Sequence, residues 1–229
     1  MPLVLAFPGA GATGAFMQRY SGLSRVAAQH RFIVAYPTAY GTHPFWSLND
    51  SARNGPQDLR FVNDLLDHLE DTLCVDQDRI YATGVSNGGG FTARMGCEVS
   101  ERLAAIAPVA GGYKAIPDCH PKRQLSVLEI HGTNDGAVPY HGVPPDFRGS
   151  VPLYLQGWRS FNACGQAAVA HRIARGIVQL TWSSCAGGTA VSQIKLYGRG
   201  HEWPGGFGAP GFSAAQAVWS FFQGRVRTP

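Results

Sequence analysis

Apolar positions recur along this chain in two rhythms. Short continuous runs stand at Leu3-Val4-Leu5-Ala6-Phe7, at Phe32 to Tyr36, at 80–84, at Ala104 to Val109, at 125–130 and at Val191 to Leu196. Runs of this length, closed by glycine, proline or polar residues, suit strands buried on both faces of a parallel sheet. Between them, apolar residues return every three or four positions, the spacing of a helix with one buried face. That spacing predicts helices over roughly 15–30 and roughly 152–162. Another opens at Asp58 with Leu59, Val62, Leu65, Leu66 and Leu69 on one side, and a fourth runs through Phe91 to Met95. A closing helix, capped by Ser213, carries Ala217, Val218 and Phe221. Alternating strands and helices predict an α/β fold, with a doubly wound, mostly parallel sheet and helices on both faces.

Composition narrows the classes. With 229 residues, 45% hydrophobic and 15% charged, the chain can bury one sizeable core and is not of the disordered type. The net charge of +4 comes from scattered Lys and Arg without a basic run, which argues against a nucleic-acid partner. No apolar stretch reaches the length of a membrane-spanning helix, and no repeat is visible. The opening run ends after five residues at Pro8 and has no basic residues before it, so it reads as a core strand rather than a secretory signal.

The chemistry begins where the run at 80–83 meets Gly84-Val85-Ser86-Asn87-Gly88. Glycines two residues either side of a serine let a strand turn sharply into a helix and leave the hydroxyl exposed above the sheet edge. Such a nucleophile needs an acid and then a base further along the chain. Asp135 follows the strand at 125–130 in His131-Gly132-Thr133-Asn134-Asp135, and His201 follows the last strand between Gly200 and the Trp203-Pro204-Gly205 loop. Glu129 and Glu202 are the rivals for the acid.

Of the eight histidines, His30, His68 and His171 read as surface residues. His120 precedes Pro121, and His43 and His141 lie in loops. His131 is expected to pack or hydrogen-bond beside the acid. A glycine-rich loop, Pro8-Gly9-Ala10-Gly11-Ala12-Thr13-Gly14, follows the first strand and can aim a backbone N–H at an oxyanion. The expected donors are the N–H of Asn87 and that of Ala10, with Gly11 as the alternative. This loop lacks the Lys-Ser/Thr ending and the spaced glycines of a phosphate site. Trp203 is the aromatic best placed to line an acyl pocket, with core packing as the other reading. Trp46 and Phe45 have weaker claims, and Trp158 and Trp219 read as helix-face core.

Five cysteines remain. Cys97 and Cys119 flank the strand after the elbow helix, and Cys164 and Cys185 flank the stretch before the last strand, with Cys74 left over. There is no Cys-x-x-Cys and no His pair at ligand spacing, so a metal site is not expected.

Several stretches together resemble the secreted esterases of carbohydrate esterase family 1, which holds feruloyl esterases and polyhydroxybutyrate-depolymerase-like esterases. They are Cys74-Val75-Asp76, Arg79 to Gly84, Ser86-Asn87-Gly88-Gly89-Gly90-Phe91, Ala107-Pro108-Val109-Ala110-Gly111, Leu128 to Thr133 with Asp135, and His201 with Trp203-Pro204. The triple glycine after Ser86-Asn87 and the cysteine before Val75-Asp76 look more like the feruloyl branch.

The resemblance implies an α/β-hydrolase, a Ser86, His201 and Asp135 triad, and no cofactor. As substrate it implies an ester, most of all hydroxycinnamate esters on plant cell-wall polysaccharide. A secreted location and two disulfides, Cys97–Cys119 and Cys164–Cys185, go with it. Two positions differ from the family pattern: Pro8-Gly9 stands where His-Gly is usual, and Val85 where the feruloyl branch often has lysine. Strands that normally precede Leu3 would be missing, leaving 1–229 as a single catalytic domain and Cys74 without a partner.

Overall fold

Alternate residues of the first strand, β1 (Leu3–Phe7), face two separate cores. Leu3, Leu5 and Phe7 pack with one cluster, and Val4 and Ala6 with the other. That is why this run is apolar throughout rather than alternating. The computed structural model describes residues 1–49, 55–113, 119–143 and 149–227. Its sheet continues through β2 (Ile33–Ala35), β3 (Ile80–Val85), β4 (Ala105–Val109), β5 (Ser126–Gly132), β6 (Val169–Ala174), β7 (Ile177–Trp182) and β8 (Val191–Leu196). The strand order is β2-β1-β3-β4-β5-β8-β7-β6. Neighbours from β2 to β8 pair in parallel, and β7 runs antiparallel to both β8 and β6.

Helices cover both faces. Buried residues of α3 (Gly55–Thr72), α4 (Asn87–Glu98) and α5 (Val151–Phe161) join the first core. Those of α1 (Gly14–Ser21), α2 (Leu23–His30) and α6 (Ala214–Phe222) join the second. The α/β-hydrolase architecture is thus present, as an eight-stranded, mostly parallel sheet.

The structure departs from the sequence reading in three places. The helix expected over 15–30 is two helices, because Gly22 takes φ +74° and both ends α1 and caps α2. That left-handed conformation suits glycine and stops helical propagation. Asp58 does not open α3. It sits buried inside the first turn, where its Oδ2 accepts the Ser47 N–H at 2.7 Å.

The third departure is the stretch between Cys164 and Cys185, which is a β-hairpin. β6 and β7 meet at Arg175-Gly176, with Gly176 at φ +73°. A two-residue turn with glycine in the left-handed region is a common hairpin closure.

Two disulfides tie elements together, Cys97–Cys119 and Cys164–Cys185, while Cys74 is free and exposed. The first joins the end of α4 to the segment leading into β5. The second spans the base of the hairpin, from the end of α5 to the turn after β7. Each closes a loop of about 20 residues, so each should contribute about 3 kcal/mol in the chain-entropy description. Non-reducing peptide mapping should recover both pairs with Cys74 alkylated. Full reduction should then lower the melting temperature, and a bridge to Cys74 would contradict the pairing. Among the described residues, no helix is long and apolar enough to cross a membrane.

Candidate active site

The winding of the sheet chooses the place. From β1 the chain moves outward to β2, then returns to lay β3 on the other side of β1. At such a switch point the loops leaving the two strands diverge and open a crevice at the carboxyl edge. Phe7 pairs level with Gly84, so the loop after β1 and the turn after β3 leave the sheet side by side.

Ser86 forms that second turn. Its φ is +58° and its ψ −121°, a strained region for a residue with a Cβ. The turn is held by the Ser86 N–H on the Val109 carbonyl at 3.0 Å and by the Gly90 N–H on the Ser86 carbonyl at 2.9 Å. Gly88 lets α4 settle onto the end of β1, since a Cβ there would lie 2.2 Å from the Phe7 oxygen. On the neighbouring loop, the Cβ position of Gly9 lies 3.3 Å from Ser86 Cβ and 3.9 Å from its Oγ. The first loop therefore passes directly over the serine.

Two backbone N–H groups lie on the segments next to this hydroxyl. Asn87 is the first residue of α4, so its N–H has no acceptor within the helix and lies at the positive end of the helix dipole. In the loop over the serine, the Gly11 N–H is committed to the Pro44 carbonyl at 2.7 Å. Among the described residues the Ala10 N–H has no hydrogen-bond partner, so of the two it is the one left uncommitted.

The Asn87 side chain does something the sequence did not disclose. Its amide receives the Trp46 N–H and donates to the Trp46 carbonyl, both at 2.8 Å. Residue 44 is thus pinned to the loop after β1 and residue 46 to the elbow. Phe45 is carried between them, 53% exposed.

Asp135 and His201 meet on the same edge. His201 Nδ1 lies 2.8 Å from Asp135 Oδ2, and 27% of the imidazole side chain is exposed. Gly132 makes the meeting possible, because a Cβ there would lie 2.3 Å from the Arg199 carbonyl oxygen that packs against it. The other Asp135 oxygen, Oδ1, accepts the N–H groups of Ala137 at 2.9 Å and Val138 at 2.8 Å. Burial pushes this carboxyl up. Hydrogen bonds from His131, the Val138 N–H and His201, with the charge of His201, outweigh burial and hold it down at about 2. A carboxyl lowered from 3.8 contributes stability above that value, which is lost as the pH falls through about 2. Among the described residues no hydrogen bond joins Ser86 Oγ to His201. The three groups share one edge, with only acid and base in contact.

The rivals fall elsewhere. Glu202 pairs with Arg199 at 2.5 and 3.0 Å on the surface. Glu129 is fully buried in β5, where its carboxylate meets Tyr113 and His131.

Trp203, expected as a wall of the acyl pocket, is core instead. It is 1% exposed, its indole N–H donates to the Ser21 carbonyl at 2.9 Å, and its ring packs in the cluster with α1, α2 and α6. The backbone N–H of Trp203 donates to the Tyr20 hydroxyl at 3.0 Å, which turns the loop inward just past His201. Trp46 is also buried, stacked on Phe91 at 4.8 Å. A half-buried hydroxyl on a strained turn, uncommitted N–H groups at the start of α4 and in the loop after β1, and an imidazole held by a buried carboxylate are the parts that two-step acyl transfer needs.

The chain is 30% identical over 214 residues to a protein named probable feruloyl esterase C of Aspergillus clavatus, covering 92% of this chain and 71% of that one. It is 25% identical over 225 residues to a bifunctional acetylxylan esterase/xylanase of Neocallimastix patriciarum, covering 96% of this chain. There it spans only 30% of the relative's length. Among solved structures, the acetyl xylan esterase from Aspergillus awamori superposes with a TM-score of 0.72 at 15% identity. That match covers 97% of this chain and 88% of that one, and it establishes the fold. No protein-family model matches the chain.

Proposed function

Because the chain belongs to the esterase family that holds the feruloyl and acetylxylan esterases, we propose that it hydrolyses carboxylic esters through Ser86, His201 and Asp135. The observation that carries this reading is the 2.8 Å bond between His201 and a buried Asp135 on the edge where Ser86 sits at φ +58° in the turn after β3. His201 Nε2 takes the proton of Ser86 as Oγ attacks the ester carbonyl. Asp135 keeps the Nδ1 proton in place and stabilises the imidazolium. The N–H groups of Asn87 and Ala10 hold the oxyanion; losing one such donor typically costs about 2.7–4 kcal/mol of barrier. His201 then hands its proton to the departing alcohol as the carbonyl–oxygen bond breaks. Water attacks the acyl-serine, again with His201 as base, and releases the acid.

The substrate class that fits best is a hydroxycinnamoyl ester of a plant cell-wall polysaccharide, acting in a secreted setting that suits the disulfides. With Trp203 in the core, Phe45 is the aromatic that supports this reading. It is exposed and lies on the segment between residues 44 and 46, which touch the two loops that carry the proposed donors. An acetyl ester is the second reading, favoured by the loss of Trp203 as an aromatic wall.

Hydrolysis of methyl ferulate beside p-nitrophenyl acetate and a hydroxybutyrate oligomer separates these readings. Wild-type protein should turn over ferulate. Phe45→Ala should lower ferulate relative to acetate by about 10- to 200-fold, the value of an apolar contact in a specificity pocket. Equal losses on both esters would remove Phe45 from the acyl site. Turnover of acetate alone would favour the second reading. A fluorophosphonate should label Ser86 and abolish turnover, and an unlabelled, active protein would overturn the proposed nucleophile.

A further inference from the structure

Acyl transfer as described leaves a buried cluster behind Asp135 without a role. His131 Nδ1 lies 2.9 Å from Glu129 Oε1. Its Nε2 lies 2.9 Å from the Val138 carbonyl oxygen and 3.1 Å from Asp135 Oδ2, the same oxygen that receives His201. Both ring nitrogens therefore face acceptors only. A neutral imidazole carries one N–H, and its other nitrogen would turn a lone pair toward a carboxylate or a carbonyl. An imidazolium satisfies both directions.

The Glu129 side of the contact is also fixed. The Tyr113 hydroxyl donates to Oε1 at 3.0 Å and the Gln193 amide approaches Oε2 at 3.5 Å, so donors converge on this carboxylate. The side chains of His131, Glu129 and Asp135 are all fully buried.

Resting on the triad reading, we infer that His131 is a permanently charged positioning residue that orients Asp135 and sets the lower pH limit of turnover. The three buried groups alternate in sign from Glu129 through His131 to Asp135. His201 faces the other side of Asp135 and takes up positive charge with the Ser86 proton. A fixed cation on the far side of Asp135 divides that carboxylate's pull between two imidazoles, which makes the unprotonated base easier to keep in acid.

Burial pushes the His131 ring toward neutrality. The bonds to Asp135 and Glu129, with the charge of Glu129, outweigh it and raise the ring to about 10. The other polar groups around the ring do not replace this cation. The Tyr113 ring lies 6.5 Å away and the Tyr140 ring 6.0 Å, with Tyr154 stacked behind Tyr113. From β8, Gln193 bonds the Tyr140 hydroxyl at 2.7 Å, and Lys195 pairs in register with His131 but lays its ammonium over the Tyr140 ring.

The test is the pH profile of kcat/KM on p-nitrophenyl acetate, for wild type and His131→Gln. The acid limb of the variant should move to higher pH by roughly one unit or more, the effect of a charge at this range. In wild type, the ring nitrogen resonances of His131 should keep imidazolium values up to about pH 8.5. A neutral ring at pH 7, or a variant with lower stability and an unmoved acid limb, would overturn the inference.

Losing one partner of a buried ion pair strands the other. If the single variant does not fold, Glu129→Gln/His131→Gln carries the test, with an upward shift smaller than a unit expected and no shift fatal. Fluorophosphonate labelling is run on the same samples. Labelled Ser86 with an unmoved limb would sink the role of His131 alone, whereas unlabelled Ser86 in active protein would sink the triad reading and this inference with it.

Discussion

Ser86→Ala should lower ester turnover on the order of a million-fold while leaving the melting temperature within about a degree of wild type. The hydroxyl makes no hydrogen bond among the described residues, and the turn is held by backbone contacts that alanine keeps. His201→Ala should be equally severe, since nucleophile and base act as one unit, and the double variant should be no worse than either single. Asp135→Asn should cost less, about ten-thousand-fold, because the imidazole stays but loses the carboxylate that fixes its tautomer. In this protein the amide also faces His131, so Asp135→Asn should lower stability where the other two do not. The check is kcat/KM on one activated ester, with thermal unfolding of each purified variant. Near-normal turnover by Ser86→Ala would end the triad assignment.

Trp203→Ala should be the largest single loss of stability. The indole is buried in the core cluster that also holds Met17, Leu23, Ala214, Val218 and Trp219. Truncating a buried aromatic typically costs about 3–5 kcal/mol. In a chain of this size, that corresponds to a fall of roughly 6–20 °C in melting temperature. The Ser21 carbonyl, left without the indole N–H, adds to the cost. Because the same residue turns the chain two positions after His201, turnover of ferulate and acetate esters should fall together. Thermal unfolding and relative kcat/KM on the two esters decide it. A selective loss of ferulate at unchanged stability would return Trp203 to the acyl pocket.

The parallel strands were legible because runs such as Leu3–Phe7 serve two cores and so have no polar face. The proposed Ser86, Asp135 and His201 could be picked out from sequence because each lies just past such a run, and the carboxyl edge of a parallel sheet is where ligands bind. What stayed hidden depends on neighbours distant in sequence. Trp203 and Phe45 both read as aromatics in proline-containing loops. Only the packing of α1 and α2 against one, and the Asn87 clamp on the segment of the other, tell core from rim. The hairpin escaped because β6 is exposed along its whole length and so has no apolar face to announce it. The role inferred for His131 needed the geometry of both its nitrogens; its place in the sequence suggested only packing or a hydrogen bond.

The two edge strands of the described sheet bear on how copies of this chain treat one another. A free strand edge is a template on which a second molecule can continue the ladder, the first step of aggregation. At one end β2 is only three residues long, too short to guide a stable new pairing. At the other, β6 carries His171 and Arg172, and its register shifts between Arg172 and Ala174, so its outer edge is charged and kinked. The Cys164–Cys185 bridge fastens the base of this hairpin and limits its fraying into a straighter, stickier ribbon. Neither edge of the described eight-stranded sheet therefore offers a long, flat ladder for a second copy to extend.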